Sequence, residues 1–305
     1  MAVTQFRAPE AGNVLLGLAL ALSANAVFST QDAVVKWLVA DLAVLQVLFT
    51  RSLVISIICA VVYRRTAIPG IRKSAHKPAL LLRAGAMIVA WLCYYSAARS
   101  LALADLVTLY YASPLIITVM SIFILGERVT GARWIAVIVG FIGVIVAADP
   151  HGRPDLLPAG LVLVAATLWA WANILMRQIS ASESTEVQML FTGLTFVVVS
   201  LPALPWIWVT PDLFTAGLMI GIGFAAALGQ YLMYESVRHA PASAVAPTSY
   251  TSLGWAFLWG WVIWGDIPAN TVIAGAALIL LGSLIIVVSE WLNAKARRKA
   301  SRNKV

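Results

Sequence analysis

Long apolar stretches, separated by short polar breaks, run from one end of the chain to the other. About 20 apolar residues suffice to cross the hydrocarbon core of a bilayer as helix. Ten such stretches can be read, near 13–37, 43–62, 80–99, 105–125, 132–148, 157–177, 187–208, 213–236, 242–264 and 270–289. Chain breakers lie between most of them: Pro69-Gly70, Pro78, Gly126 with Thr130-Gly131, Pro150 to Pro158, Pro211, and Gly265 with Pro268. The pattern predicts an all-α integral membrane protein. Only the first ten or so residues and the tail after Trp291 are expected to be disordered.

The second half echoes the first. Residues 94–146 align without gaps on 233–285, a shift of 139, so that Tyr95 falls on Tyr234, Arg99 on Arg238, Tyr111 on Tyr250 and Ser113 on Ser252. Gly126 falls on Gly265, Glu127 on Asp266 and Gly143 on Gly282. Leu48-Phe49-Thr50 matches Leu190-Phe191-Thr192 at a shift of 142. Ten spans in two related halves give five per half. Five is odd, so the second half must enter the membrane upside down. The expected architecture is ten transmembrane helices as two inverted five-helix repeats around a central cavity. A cytoplasmic N-terminal segment (1–12) precedes the first repeat (13–148), and a basic cytoplasmic tail (291–305) follows the second (157–290).

Composition strengthens this picture. The chain is 61% hydrophobic and 11% charged, with mean hydropathy +0.91. Soluble domains carry roughly 25% charged residues, so lipid must solvate this exterior. The net charge of +8 could suggest nucleic acid, but the basic residues sit in short segments beside apolar stretches, where they orient a membrane protein. With a cytoplasmic N-terminus, all 21 basic residues except Lys36, Arg51, Arg99 and Arg153 fall inside. Both termini are therefore expected on the cytoplasmic side of the cell (inner) membrane. Trp37, Trp134, Trp206, Trp208, Trp264 and Trp291 fall at predicted span ends, the depth indoles prefer. Val14 to Leu22 followed by Ala24-Asn25-Ala26 resembles a signal peptide, but the apolar stretch continues and no cleavage is expected.

Cys59 and Cys93 lie in apolar stretches and read as small packing residues, and no Cys/His spacing suggests a metal. No cofactor is expected. Polar residues inside a span are costly unless they face protein or water. Asn25, Ser29, Asp32 and Lys36, spaced 4, 3 and 4 apart, share one face of the first span and should look into the bundle. Asp32 and Lys36 could pair with each other; Asp32 is also a candidate for proton coupling. Arg51 lies within the second span. It could snorkel to the outer surface, pair with Asp32, or hold a substrate carboxylate.

Aromatic residues cluster in the spans, and some of them should line a solute path while others pack helices. Trp91, Tyr95, Tyr111, Trp169, Tyr234 and Tyr250, with the amides Asn173 and Gln230, suit an amphipathic organic solute. Pro114 and Pro247 read as hinges. Gly140-x-x-Gly143 and Gly217-x-x-x-Gly221 read as close helix contacts. Glu127 and Asp266, at helix ends, read as structural caps or loop tethers.

Gly126-Glu127-Arg128 and Gly265-Asp266 after each half's fourth span, Gly143-Val144-Ile145-Val146 in the fifth and Trp169-Ala170 in the sixth resemble the drug/metabolite transporter superfamily. Within it the chain is similar to EamA-type exporters over about residues 13–290. Asp266-Ile267-Pro268 departs from the Glu-Arg that the family usually keeps there. The resemblance implies a cavity lined by spans one to four and six to nine, and export of small metabolites, commonly amino acids. The aromatic lining resembles that of exporters of aromatic or other bulky neutral amino acids. An organic-cation or drug carrier, or a sugar-nucleotide carrier, of the same fold is the alternative; the latter needs several cavity cations, and only Arg51 and Lys36 are at hand. An intramembrane enzyme lacks any H-E-x-x-H, G-x-S-x-G or paired in-span acids, and a channel is a remote alternative. The expected partners are a small-molecule substrate and the bilayer, with no nucleic acid, and the chain is expected to act as a monomer or weak dimer.

Overall fold

The computed structural model describes residues 11–125, 131–149, 156–179, 184–240 and 245–302. Among these, every regular element is helical. In chain order they are α1 (Ala11–Asp41), α2 (Val44–Val62), α3 (Ala67–Lys73), α4 (Lys77–Ala97), α5 (Leu103–Tyr110), α6 (Ser113–Leu125) and α7 (Gly131–Ala148). The second half holds α8 (Leu157–Ile179), α9 (Thr185–Ser200), α10 (Leu204–Ile207), α11 (Leu213–His239), α12 (Thr251–Trp259) and α13 (Asn270–Arg302).

Among the described residues, seven helical segments, two of them (Leu103–Ile124 and Glu186–Ile207) running through a break, are long and apolar enough to cross a membrane, and two shorter apolar helices, Trp134–Ala148 and Asn270–Ile285, accompany them. The outer surface matches that reading. Leu213, Phe214, Val198, Ile145 and Phe123 stand exposed at 92, 68, 68, 61 and 78%, an apolar surface that water would not tolerate. Trp37, Trp134, Trp206 and Trp208 are also exposed, as rings that sit among headgroups must be.

Three expected spans are broken. The seventh is α9 and α10, joined by a 3-10 turn over Leu201–Ala203. The fourth is α5 and α6, interrupted by a turn at Tyr111 and Ala112 just before Pro114. Proline lacks the N–H needed to continue the helical ladder, and it sits here at the start of α6, where that N–H is dispensable. In the ninth, 3-10 backbone over Ala246–Tyr250, which includes Pro247, leads into α12. A π-helical turn over Gly260–Trp264 then ends at Gly265, whose φ of 69° only glycine adopts without strain. Asp266 follows, half-buried, its N–H on the Gly260 carbonyl at 3.1 Å. Its repeat partner Glu127 lies outside the described residues, as do the first ten residues.

Three expectations need correction. The tail after Trp291 is not disordered up to Arg302; it continues α13, since Ala, Lys and Arg are strong helix formers. Gly217 and Gly221 face open space within 4 Å, so that motif is not a helix contact. The Gly140/Gly143 pair does mark one: a Cβ on Gly143 would stand 2.8 Å from the Gly275 carbonyl oxygen, and one on Gly282 would stand 2.7 Å from that of Ala136. Here α7 and α13 touch backbone to backbone. Finally, Lys36 and Asp32 do not pair. Lys36 Nζ donates instead to the carbonyls of Ala98 (2.8 Å) and Leu101 (2.6 Å), beyond the end of α4, with the Trp264 ring 5.1 Å away. Unsatisfied C-terminal carbonyls carry the helix's partial negative charge, which makes them good partners for an ammonium.

Elsewhere α1 packs along α11, α4 along α8, and α2 along α9 and α11. Gln46 on α2 is fully buried and grips the backbone of Val209, donating to its carbonyl at 2.7 Å and accepting from its N–H at 3.0 Å. Gln46→Leu keeps the volume but strands both backbone groups. The expected cost is about 2 kcal/mol, read as a lower thermal midpoint of the detergent-solubilised protein. An unchanged midpoint would show that lipid or water replaces the lost partners.

Candidate functional site

The polar stripe of α1 faces protein, as its spacing requires. Asn25 and Ser29 are buried at 4 and 6% exposure, and Asp32 is half-buried. Two groups of side chains assemble along this stripe. At one level, Asp32 Oδ1 accepts a 2.8 Å hydrogen bond from Tyr95 Oη, and Gln31 Nε2 lies 3.5 Å from the same phenol. Tyr95 meets Tyr94 edge-on at 5.1 Å between ring centroids, Tyr94 meets Tyr110 at 4.9 Å, and Tyr110 meets Trp169 at 6.3 Å. Four rings from α4, α5 and α8 thus form a chain leading away from one carboxylate.

Arg51 on α2 flanks this group. It is 7% exposed, so it does not snorkel. Its guanidinium carbon lies 4.5 Å from the centroid of Trp91, which in turn leans on Phe196 at 6.0 Å. Nε and Nη1 are buried and donate to nothing. Asp32 is near enough to act on Arg51 electrostatically, yet the two make no ion pair. Of the three roles open to Arg51 in the sequence, snorkelling has no structural counterpart, and the pairing with Asp32 takes the form of a longer-range attraction.

The second group sits about two turns back along α1. Asn25 Nδ2 donates to the Ala21 carbonyl at 2.8 Å and to Thr248 Oγ1 at 3.2 Å, while Ser252 Oγ lies 3.5 Å from Asn25 Oδ1. Tyr111 Oη donates to the Ser249 carbonyl, and the Tyr111 and Tyr250 rings meet at 5.7 Å. The broken backbone on both sides makes this possible. The turn at Tyr111 and the 3-10 segment ending at Tyr250 expose carbonyls that straight helices would have used internally.

Other sequence candidates stand apart. Asn173 returns its Nδ2 to the Trp169 carbonyl of its own helix at 2.8 Å. Gln230 is exposed on α11, four residues beyond buried Ala226. The side chains of Tyr234 and Pro247 lie outside the described residues. The sequence reading missed Gln31, Thr248, Ser252, Phe196 and Arg83. Ser252 carried a signal, since it is the repeat image of Ser113. The other four carried none, being ordinary residues until the fold places them.

A cavity of about 360 Å³ opens elsewhere, between Thr66, Lys73, His76 and Ser184. It shares no residue with either group, and exposed residues form most of its rim. Among the described residues no cluster of His, Cys, Asp and Glu could hold a metal, and Cys59 and Cys93 are both free thiols.

Membrane-length helices around an interior of mixed aromatic, amide and charged side chains define a transporter. The chain belongs to the EamA-like transporter family, whose model matches it twice, over residues 15–148 and 156–288. It is 29% identical over 276 residues to the pseudopaline exporter of Pseudomonas aeruginosa, covering 88% of this chain and 95% of that one. It is 31% identical over 195 residues to a riboflavin transporter of Vibrio cholerae, covering 63 and 64%. It is 29% identical over 181 residues to an S-adenosylmethionine uptake transporter of Rickettsia bellii, covering 59 and 62%. A solved crystal structure shares the fold at a TM-score of 0.60 and 17% identity, covering 92% of this chain and 97% of that one. The protein is thus a multi-pass membrane transporter of small molecules, not an enzyme.

Proposed function

We propose that this protein is a secondary exporter of amino acids, aromatic or bulky and neutral, working by alternating access. One observation carries the reading. Arg51, whose Nε and Nη1 are free, stacks on Trp91 within electrostatic reach of Asp32, and Asp32 heads the ring chain of Tyr95, Tyr94 and Tyr110. An amino acid offers the complement: a carboxylate for Arg51, an ammonium for Asp32 and an apolar side chain for the rings. Asn25, Ser29, Tyr111 and Tyr250 would bound the same path from the second group, with Trp169 at the end of the ring chain. The hinges at Pro114 and Pro247 would let the broken spans bend.

The inverted architecture is part of the proposal. The contacts of α7 with α13 support it: Gly143 against Gly275 becomes Gly282 against Ala136 when the two halves are exchanged by the shift of 139. Likewise α1 packs on α11 as α8 packs on α4. Ten spans, both termini in the cytoplasm, an inner-membrane location and action as a monomer or weak dimer complete the reading.

A second reading, an organic-cation carrier, draws on Asp32 alone among its tyrosines, since rings and a carboxylate also suit a lone cation. Proteoliposomes loaded with labelled phenylalanine, tryptophan and leucine separate the two. Saturable efflux, competed by unlabelled amino acids and not by organic amines, is expected; absence of such flux for every amino acid would remove the amino-acid reading.

Asp32 also supplies an acid at the aromatic group, and proton-driven transport uses such a group. Asp32→Asn is expected to weaken amino-acid binding, since the ammonium loses its partner, yet to keep exchange at saturating solute while abolishing accumulation driven by a pH gradient. Undiminished accumulation would mean that Asp32 is not the coupling group.

A further inference from the structure

Arg83 on α4 is a further cation that reaches between the helices, and the proposed function does not use it. Its Nη1 donates to Thr192 Oγ1 of α9 at 3.2 Å, and Nη2 lies 3.9 Å from Met176 Sδ of α8. Its Nε is buried and donates to nothing. Neither guanidinium forms an ion pair with any described carboxylate; Arg51 is buried and Arg83 half-buried. A desolvated cation without a counter-charge is unfavourable, and a transporter retains one where its solute supplies the anion.

The two arginines share one seam. Arg51 stacks on Trp91, eight residues beyond Arg83 on α4, a separation of about 12 Å at 1.5 Å per residue. Thr192, which binds Arg83, lies one turn from Phe196, which supports Trp91. Between the two levels stands Ser56 of α2, buried, its hydroxyl unpartnered and directed at Gly193. Where α2, α4 and α9 meet, then, a column of unsatisfied donors runs from Arg83 past Ser56 to Arg51.

We propose that Arg83 and Arg51 are two successive stations for the carboxylate of the transported solute. Arg83 receives it from the cytoplasmic end of α4, and Arg51 holds it at the aromatic group. This deepens the amino-acid reading and rests on it for the organic part of the solute. The step between stations is an exchange of hydrogen bonds, with the anion never leaving the reach of a donor. An amine without the carboxylate gains nothing from either arginine.

The test compares sided vesicles. In inverted membrane vesicles, which present the cytoplasmic face, Arg83→Gln should raise KM for labelled phenylalanine at least tenfold. In right-side-out vesicles it should change KM less than twofold. Arg83→Lys, which keeps the charge, should recover most of the loss. Arg51→Gln should raise KM from both faces. Equal KM values for Arg83→Gln and the parent at the cytoplasmic face, or an equal loss at both faces, would overturn the two-station path.

A readout independent of amino-acid flux is thermal stabilisation of the solubilised protein by phenylacetate, with phenethylamine as control. Stabilisation by phenylacetate alone, lost in the double variant Arg51→Gln/Arg83→Gln, is expected. If the parent moves no amino acid yet shows this pattern, the amino-acid reading falls and the carboxylate stations stand. If the parent moves amino acids and the arginine variants are unaffected in both assays, the stations fall and the amino-acid reading stands.

Discussion

Gly275→Leu is expected to prevent the chain from accumulating as a folded, monodisperse protein. A Cβ at this position would stand 2.6 Å from both Ala147 Cβ and the Gly143 carbonyl oxygen, and 2.8 Å from the Ala147 amide nitrogen. Two of those three atoms are backbone. No rotamer relieves them, so α7 and α13 must separate along their length. Overpacking of a side chain against other side chains costs about 1–3 kcal/mol; here the helix pair itself must move, and the cost belongs at or above the upper end. Domains are stable by only about 5–15 kcal/mol. Apolar surface freed from the seam gains little from lipid to offset the loss, because contact between membrane helices rests on close packing. Gly217→Leu is the control, since a Cβ there meets nothing within 4 Å. It should leave the midpoint unchanged or slightly raised, because leucine favours helix over glycine by somewhat under 1 kcal/mol. Size-exclusion profiles and thermal midpoints in detergent measure both. Indistinguishable profiles for the two variants would mean that the α7–α13 seam is not a stability determinant.

The contrast between those glycines shows where sequence reading stops. Gly140/Gly143 and Gly217/Gly221 are alike as motifs, but only the first lies on a face that meets another helix. A spacing fixes which residues share a face, not what the face touches. The stripe of α1 illustrates the favourable case. Asn25, Ser29 and Asp32 cannot face lipid cheaply, so their spacing alone turned that face inward, where the structure places it. Tyr111 and Tyr250 were legible through the repeat, and their rings meet.

Lys36 and Arg83 show the opposite. Lys36 has an acid four residues away and still prefers the carbonyls beyond α4, a partner formed only when the end of a distant helix arrives. Arg83, six residues into α4, looked like one more basic residue flanking a span. Its long side chain reaches α8 and α9 instead, which no local pattern reveals. The same holds for Thr248 and Gln31, small polar residues whose partners come from other helices.

Arg51→Met should make the protein more stable and unable to bind its solute. Methionine approximates the aliphatic stem of arginine and fills the space beside Trp91 without a charge. The parent holds a guanidinium at 7% exposure with Nε and Nη1 unpartnered, and effective penalties for buried ions reach several kcal/mol. Set against this is the contact with Trp91, worth about 2 kcal/mol when desolvated. The burial cost is the larger, so the solute-free midpoint should rise. Added phenylalanine should raise the parent's midpoint and leave that of the variant unmoved. Each charge-assisted hydrogen bond to a carboxylate contributes roughly 1.5–3 kcal/mol, so losing two should lower flux at sub-saturating solute by at least about a hundredfold. The sign of the solute-free change decides between the roles. If Arg51 holds the helices together through Trp91, the midpoint falls and phenylalanine still stabilises whatever folded protein remains. If it waits for a carboxylate, the midpoint rises and the response to phenylalanine disappears. A residue kept for binding at the expense of stability leaves that signature.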